Sequence, residues 1–119
     1  MNTESEYQKI TLTVGRWNYN YGDTIKDISF MGRLLASRIV REGDPPYEDN
    51  YGTIWEVYQS SHNKIVVFHK DWCRLVNTTD TANIKIYEDI NEVEGDIPEG
   101  LFIELKQALG IDTVEYLDI

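Results

Sequence analysis

Tyr51–Trp72 reads YGTIWEVYQSSHNKIVVFHKDW. Two runs rich in β-branched and aromatic residues, Thr53–Gln59 and Lys64–Lys70, flank the polar break Ser60-Ser61-His62-Asn63. Paired runs of this kind around a short polar break predict a β-hairpin. Asn63 suits the turn, because asparagine tolerates left-handed backbone. Alternation places Trp55 and Val57 on one face of the first strand, with Ile54, Glu56 and Tyr58 on the other. Ile65-Val66-Val67-Phe68 is apolar on both faces, so the second strand is expected inside a sheet rather than at its edge. Burying Trp55, Val57, Ile65, Val67 and Phe68 contributes ~1.5–3 kcal/mol each. The hairpin reads as core, not as an active site.

Upstream, Tyr7–Val14 (YQKITLTV) alternates, with Ile10, Leu12 and Val14 on one face, and predicts a half-buried strand. Gly15–Asp23 (GRWNYNYGD) is a glycine-bounded loop, and Thr24–Met31 predicts a second strand with Ile28 and Phe30 on one face. Gly32–Glu42 (GRLLASRIVRE) fits a helical stripe and a strand face about equally well. The reading adopted is a bent strand continuing from Phe30, with Gly32 as its bulge. Gly43–Tyr51 and Arg74–Ala82 read as polar connections, and Asn83–Tyr87 as a short strand with Ile84 and Ile86 inward.

The period then changes. Asp89 and Glu92 form an aspartate version of the capping box, opening one or two helical turns that Gly95 closes. Pro98 then precedes a helix over Glu99–Leu109, whose stripe is Leu101, Leu105, Ala108 and Leu109 and whose stop is Gly110. Thr113–Ile119 (TVEYLDI) is expected to dock as a final strand. The predicted fold is therefore α+β: one domain, 1–119, with an antiparallel sheet of about five to six strands covered by a short C-terminal helix pair.

The 119 residues carry a formal charge of −10. Residues 88–119 hold ten of the 21 acidic side chains and one basic residue, Lys106. That field repels nucleic acid and anionic membrane and favours basic partners. The N-terminus has no basic and apolar signal pattern, and no apolar run approaches the ~20 residues that span a bilayer. A single cysteine, Cys73, leaves no intramolecular disulfide, and the expected compartment is the reducing cytoplasm.

The terminal Glu115-Tyr116-Leu117-Asp118-Ile119 resembles the C-terminal signature of the EXLDI proteins, a family of small bacterial proteins. Val14-Gly15, Phe30-Met31-Gly32-Arg33-Leu34-Leu35-Ala36, Val57-Tyr58-Gln59, Lys64-Ile65-Val66-Val67, Ile97-Pro98 and Leu101 are similar to that family too. The likeness spans Tyr7 to Ile119 and implies no reaction. Many EXLDI proteins look as if they carry an N-terminal segment similar to a ribbon-helix-helix DNA-binding module. Here six residues precede the first strand, so that DNA-binding role does not carry over. What the resemblance leaves for this chain is a sensing or pairing domain.

Three groups of residues carry candidate chemistry. His69, Asp71 and Cys73 alternate, so an extended backbone sets a thiol, an imidazole and a carboxylate on one face. Without a CxxC or HxxxH pattern beside them, a strand end with a half-buried cysteine is the favoured reading. Trp17, Tyr19 and Tyr21, with Arg16 as a cation, offer a stacking platform for a ligand or partner, against the alternative of hairpin packing. Glu88, Asp89, Glu92, Glu94, Asp96 and Glu99 crowd together, but Glu94 stands where a calcium loop needs glycine. A solvated acidic face is the simplest account of them, and a surface that imitates nucleic acid is the alternative.

The sequence-based expectation is a non-enzymatic, regulatory ligand- or protein-binding domain that uses Arg16, Trp17, Tyr19 and Tyr21. It has no catalytic residue, metal or cofactor, no direct contact with nucleic acid or membrane, and scope to form a homodimer. The alternatives are an acidic inhibitor that occupies a partner's basic groove and a small Cys/His enzyme.

Overall fold

The computed structural model describes residues 7–18, 21–42, 51–73 and 79–111. Five strands run in order: β1 (Gln8–Asn18), β2 (Thr24–Glu42), β3 (Tyr51–Ser60), β4 (Ile65–Cys73) and β5 (Thr79–Tyr87). A 3-10 turn (Ile90–Val93) and one α-helix, α1 (Glu99–Ala108), follow. Each strand pairs antiparallel with the next, and β1 pairs antiparallel with β5, closing a barrel.

The hairpin forms as its pattern requires. Val57 lies opposite Val67 and Trp55 opposite His69, and the turn places Asn63 at φ 63°. β4 is buried on both faces. Val66 and Phe68 join Leu12, Val14, Tyr58 and Ala82 inside the barrel. Ile65 and Val67 pack outside it, with Val57, Val93, Leu101 and Leu105. The molecule therefore has two cores that share β3, β4 and β5 as their common wall.

The open sheet under a helix pair is overturned. The sheet closes on itself, so a barrel dominated by strand replaces the α+β arrangement. Only α1 is an α-helix, and the Asp89–Val93 stretch gives a single 3-10 turn. Asp89 accepts the Asn91 amide at 2.6 Å, but Glu92 turns to the Glu88 amide at 3.1 Å instead of back to Asp89. The reciprocal bond that would extend the turn is not made. α1 begins after Pro98 and stops as expected at Gly110, φ 74°. There the Gly110 amide donates to Gln107 and the Ile111 amide to Lys106, a Schellman closure.

Closure depends on two long strands that the sequence shows only in part. β2 is continuous over 19 residues, as the bent-strand reading required. Its bulge lies between Leu34 and Ala36, however, and not at Gly32. The first half of β2 pairs with β1 and the second with β3. In a straight five-strand meander the first and last strands run the same way, so antiparallel closure demands strong bending, and this bulge supplies part of it.

β1 runs past the expected loop boundary to Asn18, and Gly15, φ 127°, is its second bend. A Cβ on Gly15 would sit 2.2 Å from the Thr24 carbonyl oxygen. β5 likewise begins at Thr79, inside the expected polar connection, and Thr79–Ala82 pair with Gly15–Asn18. Ile84 packs in the barrel, but Ile86 is 60% exposed, because the β1–β5 ladder ends before reaching it. Thr113–Ile119, including the terminal signature, lies outside the described residues, as does nearly all of Gly43–Tyr51.

Two substitutions test the two layers separately. Leu101→Ala, at a site with no exposure, is expected to cost about 2–5 kcal/mol in a denaturant melt. Gly15→Val is expected to weaken the barrel seam, so that amides at Thr79–Ala82 exchange faster than those of β3 and β4.

Candidate functional site

Outward-facing positions on β3, β4 and β5 carry the helix layer at one end of the sheet and polar or aromatic side chains at the other. The row Val57–Val67 lies under α1 and the 3-10 turn, while the next row, Trp55–His69–Asn83, emerges beyond their cover. A groove of about 310 Å³ opens there, walled by Trp55, His69, Asn83, Lys85, Tyr87 and Asp96. Trp55 and His69 stack, with ring centroids 4.6 Å apart and planes inclined by 13°. Cross-strand pairing alone puts these two residues opposite each other, so the sheet register builds the stack.

The far wall is a hydrogen-bonded set. The Tyr87 hydroxyl donates to Asp96 at 2.8 Å, and the Lys85 ammonium lies 3.3 Å from the same carboxylate oxygen. Lys85 also sits 5.0 Å from the Tyr87 ring centre. Burial, then the hydrogen bond and the charge of Asp96, push the Tyr87 phenol up to about 12. The hydrogen bonds from Tyr87 and Lys85, then the Lys85 charge, hold the Asp96 carboxyl below its ordinary value. Asp96 stands just before Ile97-Pro98, so one carboxylate ties β5 to the start of the helical segment.

His69, Asp71 and Cys73 share the outer face, as alternation required. His69 Nε2 lies 3.4 Å from Asp71 Oδ1, which also accepts the Thr53 hydroxyl at 2.9 Å. Cys73 is a free, half-buried thiol whose amide donates to Asp80 at 2.9 Å. Four residues of extended strand separate His69 from Cys73 by ~13 Å, beyond proton-transfer reach. No cluster of three or more potential metal ligands occurs among the described residues.

The aromatic loop residues part company. Trp17 is half-buried against the barrel core, with the Lys70 ammonium 4.1 Å from its ring centre. Tyr21 is 88% exposed at a turn where its amide donates to Asn18 and Asn18 donates to Asp23. Arg16 is exposed and lines a cavity of about 520 Å³ with Gly15, Thr24, Thr81 and Asn83. Tyr19 lies outside the described residues. Trp17 thus packs against the barrel core, while Tyr21 stands exposed at the turn.

The acidic stretch is largely engaged in local bonds. Glu88 pairs with Lys64 at 2.7 Å, Asp89 caps the 3-10 turn, and Asp96 belongs to the groove. The outer groove escaped the sequence reading because its walls come from three strands and a turn. The one usable signal was alternation: Trp55, His69, Lys85 and Tyr87 all fall on the face that carries Val57 and Val67.

Among the described residues no helix is long and apolar enough to cross a membrane. The chain matches no family model, no curated protein and no solved structure.

The groove has a titration signature. Tyr87 is neutral in the fold at pH values where an unfolded tyrosine ionises. Its contribution to stability is therefore complete below pH ~10 and is lost as pH rises through about 12. Asp96 acts in the opposite sense, since its contribution holds above the usual carboxylate range and fades in acid. Asp96→Asn is expected to bring Tyr87 ionisation to lower pH, measured from its ring resonances across an alkaline titration.

Proposed function

We propose that this protein is a cytoplasmic, non-enzymatic binding domain, and that the outer groove holds its ligand, a small flat molecule or a side chain of a partner protein. The observation that carries this reading is the pairing of a stacked aromatic wall, Trp55–His69, with a polar wall, Tyr87–Asp96–Lys85, across one groove. Binding sites favour this combination: apolar walls supply burial, and a few fixed polar groups set orientation. The Tyr87–Asp96 bond costs nothing to arrange at the moment of binding, because the fold already holds it.

The separation of His69 from Cys73 favours binding over catalysis. The acidic-inhibitor alternative has less support, since Glu88, Asp89, Asp96 and Glu104 are each committed to partners within the chain. A regulatory role fits a groove whose floor and helical cover meet at Asp96, because an occupant there touches both layers.

A fragment library read by amide and indole resonances tests the proposal. Shifts are expected to cluster on Trp55, His69, Lys85, Tyr87 and Asp96. Trp55→Leu should weaken the best fragment by about tenfold, equivalent to ~1.4 kcal/mol. Shifts concentrated on Arg16, Trp17 and Tyr21 would move the site to the loop. Shifts scattered without focus would remove the groove from consideration.

A further inference from the structure

We propose that the outer groove takes a planar aromatic ring carrying an anionic group on a short arm, with the ring stacked on His69 and the anion at Arg16. The inference rests on the groove being the binding site and adds the chemical class of its ligand. Four adjacent strands set the arrangement. Trp55 on β3 lies opposite His69 on β4, and His69 lies opposite Asn83 on β5. Trp55 covers one face of the imidazole, 4.6 Å away and nearly parallel, so the other face is turned toward Asn83. A ring placed there would continue the stack, in the offset arrangement that aromatic pairs favour. Asn83 is exposed, and its side-chain amide offers donors and an acceptor to the edge of such a ring.

The fourth strand, β1, supplies the charge. The β1–β5 ladder stops at Gly15–Ala82, and the two strands part beside Asn83. The Arg16 cavity, about 520 Å³, opens at that parting, and Asn83 lines both it and the groove. Arg16 pairs with Thr81, so its side chain rises from the same face as Asn83, two residues on. Thr24 and Thr81 bring hydroxyls to the same lining. A ring over Asn83 sits one strand spacing, ~5 Å, from the strand that carries Arg16. That is the reach of a carboxylate or phosphate held a few bonds from the ring. A guanidinium receives either oxyanion through paired N–H donors. Of the two fixed cations in the linings, Lys85 is answered by Asp96, whereas Arg16 forms no ion pair among the described residues. Asp23 and Asp80, the sequence neighbours of Thr24 and Thr81, accept the Asn18 and Cys73 amides instead. An anionic ligand therefore meets a positive charge that no lining carboxylate neutralises, in a chain whose formal charge is −10.

Two pairs of compounds test this on the full chain, with binding read from amide and side-chain resonances: adenosine 5′-monophosphate against adenosine, and indole-3-acetate against indole-3-acetamide. At least one acid is expected to bind about tenfold or more tighter than its neutral counterpart, shifting Trp55, His69 and Arg16 together. Whichever acid prevails identifies the arm's anion as phosphate or carboxylate. Arg16→Gln should bring that acid down to the neutral compound's affinity, with the melting temperature almost unchanged because Arg16 is exposed. Equal affinity of each acid and its neutral counterpart, with shifts at Trp55 and His69, would overturn the anion site and leave the groove standing. An acid preference that survives Arg16→Gln would do the same. Shifts at Arg16, Trp17 and Tyr21 without Trp55 would overturn both readings. Failure of all four compounds to bind at millimolar concentration would overturn this inference alone, since the fragment library decides the groove separately.

Discussion

Four consecutive apolar residues on one strand impose the architecture. Ile65 and Val67 point out of the barrel while Val66 and Phe68 point into it, and all four are buried. A strand can bury both faces only if the chain supplies a cover for each. The inner cover is the rest of the barrel, and the outer cover is the 3-10 turn with α1. Each of those side chains stabilises by ~1.5–3 kcal/mol when buried. Loss of either cover would expose half of that contribution and leave β4 with an apolar face in water.

The two covers are unequal in extent, and their limits create the surface features. The helical cover ends at the Val57–Val67 row, which leaves the Trp55–His69 stack and the Tyr87–Asp96 bond as the rim of the outer groove. The barrel seam ends at Gly15–Ala82, which leaves the later part of β5 paired on one side. The groove thus lies where a core layer stops.

Much of this was legible in the sequence wherever a signal is local. The hairpin could be read from its β-branched runs and Asn63, and α1 from Pro98, the Leu101–Leu105 spacing and Gly110. The continuity of β2 was legible, although its bulge falls at Leu35 and not at Gly32, because register against β3 decides where the extra residue goes. Barrel closure was not legible. It pairs residues from the two ends of the sheet, and its chief requirement is an absent side chain at Gly15, which sequence shows only as a turn signal. The groove was hidden for a similar reason, since Trp55, His69, Lys85 and Asp96 are distant along the chain. Trp17 looked like a loop aromatic, but β1 extends far enough to draw it into the barrel packing.

Native-state hydrogen exchange tests most directly the claim that β4 is the wall shared by both cores. Amides of Ile65–Phe68 are expected to be the slowest in the molecule and to exchange only through global unfolding, with the denaturant dependence of the whole protein. The β1–β5 seam and α1 should open at lower free energy, each without releasing β4. Exchange of the Ile65–Phe68 amides through local opening, at rates matching those of β1 or α1, would contradict the account.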